Sequence, residues 1–518
     1  MTTKKVIGID YGTLSARAVA LDVETGALCG SSTYVYPHGV MEDGYPDNYA
    51  LAHPQDYKDA LVNIIKGCNC KPDEVIGIGL DATTYTLVPC DAQGNAMCEH
   101  DKYAHEPMAY IKLWKHHAAQ DQADRIQAAH DKTGGFPAIE RYGGKVNCEW
   151  ALPKLLETYE LAPELWQDTY RFCDLGEWIT RMLTGKFTSS LYSLGFKCMW
   201  TPEYGKPTKE GLDCLSEGFA DELDKKFWGE PISHFKACGT LTTEMANTLG
   251  LNPDIPVAAA MGDGSIPGIY FCINEPGALA LTYGTSIAMS FVNDKLHAAT
   301  GINGVVKDGI VEGCYSYDAG QPCAGDMLDW FVTYSVPEIY SDPDPHTCLT
   351  NFCLQKNPWE NKLTVLDWWN GNRGILNDLS LRGSIIGYSL DTRPEDIYCA
   401  MLQGIACGNK RIIDHLEENG IHFDKIIVCG GIAKKNKFAM QQYANIVGRE
   451  IYISDATDIT ARSSAMLGAS AAGMDISSVV KNMTNDNYDV IKPDFDHKAE
   501  YAKIYSRWCR FHDLLSKE

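Results

Sequence analysis

A short motif stated twice constrains this chain more than any other feature. Residues 6–21 read VIGIDYGTLSARAVAL and residues 278–291 read ALALTYGTSIAMSF, so that Thr285 follows Thr13 by 272 positions. Each segment is an apolar run, a small polar turn at Tyr-Gly-Thr, and a second apolar run, a pattern that predicts a β-hairpin. Either segment alone is explained as a hairpin that happens to carry a glycine. Stated twice, near the start of each half of a 518-residue chain, the motif predicts an internal duplication. With 45% hydrophobic residues the chain exceeds what one compact core needs, so the expected architecture is two lobes.

The turns themselves point to phosphate. Gly12 and Gly284 suit a tight turn, and Thr13 and Thr285 place hydroxyls beside exposed backbone N–H groups, which is how a turn grips a phosphate oxygen. Two such turns facing each other would clamp a triphosphate. Asp10 ends the first strand, where a phosphate-bound Mg²⁺ needs an oxygen ligand. The matching position in the second repeat is Thr282, so one half alone supplies an acid, as a single Mg·ATP site requires. Arg17 serves either to neutralise phosphate charge or as a surface ion-pair partner. Asp263 ends the apolar run of residues 257–261 and lies between Gly262 and Gly264. It can accept the proton of an alcohol during phosphoryl transfer, or cap a helix that begins near Ile266; both roles stay open on the residues alone.

Between the repeats, strand-like and helix-like periods alternate, which predicts α/β layers. Residues 75–81 form a short buried strand running into a Thr83-Thr84 turn. Thr392-Arg393-Pro394-Glu395 has capping-box spacing, and Ile397, Met401, Ile405, Ile412 and Leu416 recur at helical intervals until Gly420. Residues 425–429 form a strand that ends in Gly430-Gly431, with a helical stretch from about Lys435, a suitable nucleotide-binding turn. Residues 337–361, rich in Pro, Asp and Asn, are expected to be an insertion or surface loop. The expected division is an N-terminal lobe over 1–255, a C-terminal lobe over 256–480 and a helical tail over 481–518.

Several function classes are disfavoured. Lys plus Arg number 45 against 68 Asp plus Glu, a net charge of -23, which repels nucleic acid and anionic membranes. ATP is not excluded, because backbone N–H groups and a metal ion can hold it inside a site. No stretch approaches the roughly 20 apolar residues of a membrane span. The N-terminus enters the first strand without a secretion signal, and the odd count of 19 scattered cysteines is best read as reduced thiols in the cytoplasm. There is no G-x-x-x-x-G-K-[ST] loop and no protein-kinase motif set.

The chain resembles the FGGY carbohydrate kinases, and within them the ribulokinase branch. The resemblance runs from Ile9-Asp10-Tyr11-Gly12-Thr13 to Ser464-Ala465-Met466-Leu467-Gly468-Ala469. Its landmarks are residues 113–117 (LWKHH), 172–174 (FCD), 318–321 (DAGQ), 366–373 (LDWWNGNR) and 430–436 (GGIAKKN). It implies an α/β, two-lobed actin-like (ribonuclease H-like) ATPase fold with duplicated domains and a cleft between them. It implies transfer of the γ-phosphoryl group of ATP, with Mg²⁺, to the terminal hydroxyl of a ketopentose, foremost L-ribulose in arabinose catabolism. By resemblance Asp263 is the base, Asp10 helps hold the metal, and Thr13 and Thr285 meet the phosphates. Gly430 and Gly431 border the nucleotide, with Lys435 and Asn436 near its adenine end, and Lys197 contacts the sugar.

Three departures fall near the sugar. Asp318 stands where the family has Glu, Thr84 where a small residue is usual, and Gly264-Ser265 where Ala or Cys and then His are common. They bear on substrate identity more than on reaction class. The rivals are a kinase for another pentulose or pentitol, a non-catalytic sugar and ATP sensor, and an actin-like filament or chaperone ATPase. The expected partners are the sugar and ATP, without nucleic acid or membrane, and a homodimer is open.

Overall fold

The computed structural model describes residues 4–297, 300–484 and 487–517. The chain falls into two compact units: the first gathers Met1–Asn274, Gly304–Ser316 and Thr457–Thr484, the second Glu275–Asn303, Tyr317–Ala456 and Asn485–Glu518.

In the first unit the predicted hairpin forms as Lys5–Tyr11 against Ser15–Asp22, antiparallel, with Ile7 opposite Ala20 and Asp10 opposite Arg17. Leu28–Val35 extends it on one side, its alternating exposure marking an edge strand. On the other side Val75–Ala82 runs parallel to Lys5–Tyr11, followed by Pro256–Ala258 and then, antiparallel, Ala237–Thr240. Helices cover both faces, which is why Lys5–Tyr11 and Val75–Ala82 read as nearly continuous apolar runs. Ile7 and Ile9 share a core with Tyr57, Leu61 and Ile64 of the Pro54–Gly67 helix. Gly8 and Gly79 point to the opposite face, against the Ile459–Ala471 helix. A Cβ at Gly8 would stand 1.9 Å from the Ala461 carbonyl oxygen, and one at Gly79 would stand 1.9 Å from that of Ser464. Only glycine lets helix backbone lie this close on strand backbone.

That docking corrects the domain boundaries read from the sequence. Instead of dividing between 255 and 256, the units part after Asn274, and Thr457–Thr484 returns to the first unit with the helix its glycines receive. A second core in the first unit joins Ile126, Phe136, Tyr142, Trp150, Trp166 and Phe219, and supports the helix Leu191–Lys197.

The second unit repeats the strand logic of the first. Ala278–Tyr283 and Ile287–Asn293 form the predicted antiparallel hairpin. Lys425–Cys429 then runs parallel to Ala278–Tyr283, Ile451–Ser454 runs parallel to Lys425–Cys429, and Tyr488–Ile491 closes antiparallel. A hairpin, two parallel strands and an antiparallel edge thus occur in both units, in the same spatial order.

The long helix is Pro394–Glu418, but its capping box sits one residue later than the spacing predicted. Asp396 Oδ2 accepts from the Arg393 backbone N–H at 2.9 Å, whereas Glu395 is drawn to Lys356 at 2.8 Å. Residues 337–361 are not merely a surface loop: they contain the helix Pro345–Cys353, with Leu349 and Cys353 buried. The Asp-Trp-Trp-Asn landmark has a structural role. Buried Asp367 Oδ2 accepts from Gln321 Nε2 at 2.6 Å, and Gln321 also donates to the Ile405 carbonyl of the long helix at 3.1 Å. Among the described residues no helix is long and apolar enough to cross a membrane.

Candidate active site

The first unit gathers three carboxylates at the ends of adjacent strands. Asp10 and Asp81 are register partners on the parallel strands Lys5–Tyr11 and Val75–Ala82. Met261–Gly262 pairs parallel to Val75–Ala82 on the far side, and the next residue, Asp263, donates its backbone N–H to the Ala82 carbonyl at 3.0 Å. The carboxyl ends of strands in an α/β sheet are where such layers leave side chains open to a ligand. Asp263 Oδ1 also accepts from the Gly264 N–H at 2.8 Å, so the carboxylate is held within its own turn.

The three acids are not equivalent. Asp81 is fully buried, and its Oδ2 accepts from Ser464 Oγ at 2.6 Å. Burial first, and then the charge of Asp10, hold Asp81 well above the usual carboxylate range. Burial also raises Asp10, against the opposing effects of the Thr460 hydroxyl, which donates to Asp10 Oδ2 at 2.6 Å, and of Arg17. Asp81 is an acid beside Asp10 that the sequence reading did not single out. Its strand and the turn after it were legible, but only strand pairing sets it beside Asp10.

The other predicted residues of this unit are placed as follows. Gly12 donates to the Ser15 carbonyl at 3.0 Å to close the first Tyr-Gly-Thr turn, and Thr13 lies within that turn. Thr83 donates its N–H to the Tyr11 carbonyl at 3.0 Å, which brings buried Thr84 to the same strand ends. Ser265, where the family commonly has His, accepts a 2.9 Å bond from buried Tyr192 Oη. Arg17 donates to Asp458 Oδ1 at 2.6 Å and to Thr33 Oγ1 at 3.3 Å. Lys197 ends the Leu191–Lys197 helix, and its side chain lies outside the described residues.

Among the described residues no group of three or more His, Cys, Asp or Glu is placed to hold a metal ion by protein alone. Mg²⁺ is ordinarily held by one or two carboxylates, with phosphate oxygens and water completing its shell, and a single strand-end carboxylate such as Asp10 fits that chemistry.

In the second unit Gly284, Thr285, Gly431, Lys435 and Asn436 line one cavity of about 770 Å³. Gly430 precedes it at φ +104°, a conformation suited to glycine, and the helix Gly431–Lys435 starts directly after. Asn436 does two jobs: its Oδ1 caps the Lys437–Val447 helix by accepting from Ala439 N–H at 2.9 Å, and its Nδ2 donates to Thr350 Oγ1 at 3.1 Å. The opposite wall includes His346, Thr347, Thr350 and Asn351 from the Pro345–Cys353 helix, and buried Tyr398. Sequence reading missed this wall because its Pro- and Asp-rich composition resembles a loop. Asp318 is not among the residues lining the cavity; it lies on the strand Tyr315–Gln321, where Asn303 donates its N–H to the Asp318 carbonyl at 2.8 Å.

Residues 279–472 match the family model for the C-terminal domain of the FGGY family of carbohydrate kinases. The ribulokinase of Geobacillus thermodenitrificans is 35% identical over 542 residues, covering 100% of this chain and 95% of that protein. That of Halalkalibacterium halodurans is 34% identical, covering 100% and 96%. Among solved structures, a ligand-bound xylulose kinase from Lactobacillus acidophilus aligns with a TM-score of 0.82 at 19% identity, covering 99% of this chain and 98% of its own. The xylulose kinase from Rhodospirillum rubrum aligns with a TM-score of 0.81 at 16% identity, covering 99% of each. These structural likenesses show the two-domain actin-like fold that the family resemblance implies. With strand-end carboxylates in one unit and a glycine-bordered cavity in the other, the chain belongs to the FGGY family of carbohydrate kinases and is an ATP-dependent sugar kinase.

Proposed function

We propose that this enzyme transfers the γ-phosphoryl group of ATP to the terminal hydroxyl of a ketopentose, L-ribulose foremost, forming L-ribulose 5-phosphate in arabinose catabolism. The observation that carries the reading is the placement of Asp263 at the strand end next to Asp81 and Asp10. The full-length likeness to ribulokinases supports the choice of sugar.

In this reading Asp263 accepts the proton of the sugar hydroxyl as its oxygen attacks the γ-phosphorus in line and ADP departs. Asp81, buried and raised well above the usual carboxylate range, favours its protonated form and is the poorer acceptor. Asp10 would hold Mg²⁺, which when bound would supply positive charge against the phosphates. Gly12, Thr13, Gly284 and Thr285 supply donors to phosphate oxygens, Gly430 and Gly431 border the nucleotide, and Lys435 and Asn436 stand at its base end. Thr84, Lys197 and Asp318 contact the sugar. The reading places the enzyme in the cytoplasm, where its 19 cysteines, all free thiols, stay reduced. Thr84, Ser265 and Asp318 favour one second reading, a preference for another pentulose or a pentitol with the same chemistry.

The test is sugar-dependent ADP release with Mg·ATP and L-ribulose, D-ribulose, D-xylulose, L-xylulose, ribitol or glycerol, with Asp263→Asn as control. A dominant L-ribulose signal, lost by about 10²- to 10⁴-fold in Asp263→Asn, is expected. Preference for another sugar selects the second reading. Absence of turnover on every sugar, in protein that binds ATP, overturns both.

A further inference from the structure

A buried lysine ties together two turns of the first unit. Lys154, fully buried on the Ala151–Leu161 helix, donates to the carbonyls of Tyr85 at 2.8 Å, Leu113 at 2.7 Å and Trp114 at 3.2 Å. An ammonium group has three N–H donors, and three main-chain acceptors converge on this one. The neighbouring buried lysine, Lys112, is used differently: it pairs with Glu157 at 2.5 Å, and Glu157 also meets His116. One of the three acceptors, Tyr85, has φ +64°, a left-handed conformation that a bulky residue holds only when its surroundings impose it. Tyr85 directly follows Thr84, so Lys154 anchors the turn beside Asp263.

The Leu113-Trp114 pair carries the other end. Trp114 belongs to the LWKHH landmark of the sequence, to which the reaction assigns no role. Its indole Nε1–H donates to Thr13 Oγ1 at 3.1 Å. An indole nitrogen can only donate, so Thr13 Oγ is the acceptor in this bond and its own proton is free to be given elsewhere. Nucleotide phosphate oxygens only accept at neutral pH, and a hydroxyl already accepting from an indole presents its donor side to them.

We propose that Trp114 is a positioning residue for the first phosphate turn: it takes the acceptor side of the Thr13 hydroxyl and so directs that proton to a nucleotide phosphate, with Lys154 anchoring the Trp114 main chain. The inference rests on the reading that Thr13 meets phosphate.

The test is a double-mutant cycle in the full chain. Trp114→Phe keeps a ring and removes the N–H, and Thr13→Val keeps the shape and removes the hydroxyl. Each variant is measured for its Kd toward Mg·ATP by calorimetry, and for kcat and KM on the sugar that the panel selects. Trp114→Phe is expected to weaken Mg·ATP binding, or lower kcat/KM for ATP, by about five- to tenfold, the worth of one ordinary hydrogen bond, with sugar KM within about twofold. The double variant is expected to be no worse than Thr13→Val alone, since both substitutions remove one interaction. An unchanged Trp114→Phe, or losses that add in full, overturns the proposal. Lys154→Met is expected to reproduce the loss together with a lower Tm; should it fail to fold, the Trp114 cycle decides. A wild type that binds Mg·ATP but turns over no sugar defeats the kinase reading, while the cycle read on Kd still judges Trp114.

Discussion

Asp10 and Asp81 stand opposite each other on parallel strands, Asp81 fully buried in the sheet and Asp10 partly exposed near its end. Burial raises both acids, Asp81 further because the charge of Asp10 adds to it, and the Ser464 and Thr460 hydroxyls of one helix serve the two acids separately. Asparagine mimics a protonated carboxyl, so Asp81→Asn should fold with a Tm near that of the wild type and keep activity within about tenfold. Asp10→Asn should lose more than about a hundredfold. Steady-state kinetics and thermal melts on both variants check this, and equal losses would contradict the unequal roles.

The cavity of the second unit should be the nucleotide site. Asn351 lines it from the Pro345–Cys353 helix and is exposed, so a large side chain there can enter the space without disturbing the core. Asn351→Trp is expected to raise the KM for ATP by more than about tenfold with little change in sugar KM. A variant that binds ATP normally would show that the nucleotide lies elsewhere.

Asp318 is one methylene shorter than the glutamate of the family. If it contacts the sugar, Asp318→Glu should shift the ratio of kcat/KM between L-ribulose and a second pentulose by about tenfold, a magnitude typical of one methylene or one hydrogen bond in a binding pocket. The same panel of sugars measures it. An unchanged ratio would remove Asp318 from the sugar site.

Burial raises Asp367 from 3.8 to about 7, with the Gln321 bond opposing. An acid raised in the folded state holds its proton more tightly there than in the unfolded chain. Its contribution to stability is complete below pH ~4 and is lost as pH rises through about 7. The Tm of the wild type should therefore fall more between pH 4 and 7 than that of Asp367→Asn, which has no proton to lose. Parallel slopes in melts across that range would show Asp367 to be ionised when folded.

What could be read before folding was local. The two hairpins, the 425–429 strand with its glycine turn, and the Pro394–Glu418 helix follow from periods of apolar residues and from turn residues, which act over a few positions. So did the candidates Asp10 and Asp263, each at the end of an apolar run. Asp81 ends a similar run, but strand register alone gives it a partner. Only the fold gives Arg17 its ion-pair partner, Asp458, 441 positions away. Trp114 was a landmark without a task until folding set its indole on Thr13, 101 positions distant. The domain boundary moved for the same reason, since Gly8 and Gly79 are ordinary strand glycines until a helix from the far end of the chain docks on them. Period and turn chemistry are written along the chain; which acid is raised furthest and which donor is oriented depend on burial and distance, and those exist only once the strands and helices have packed.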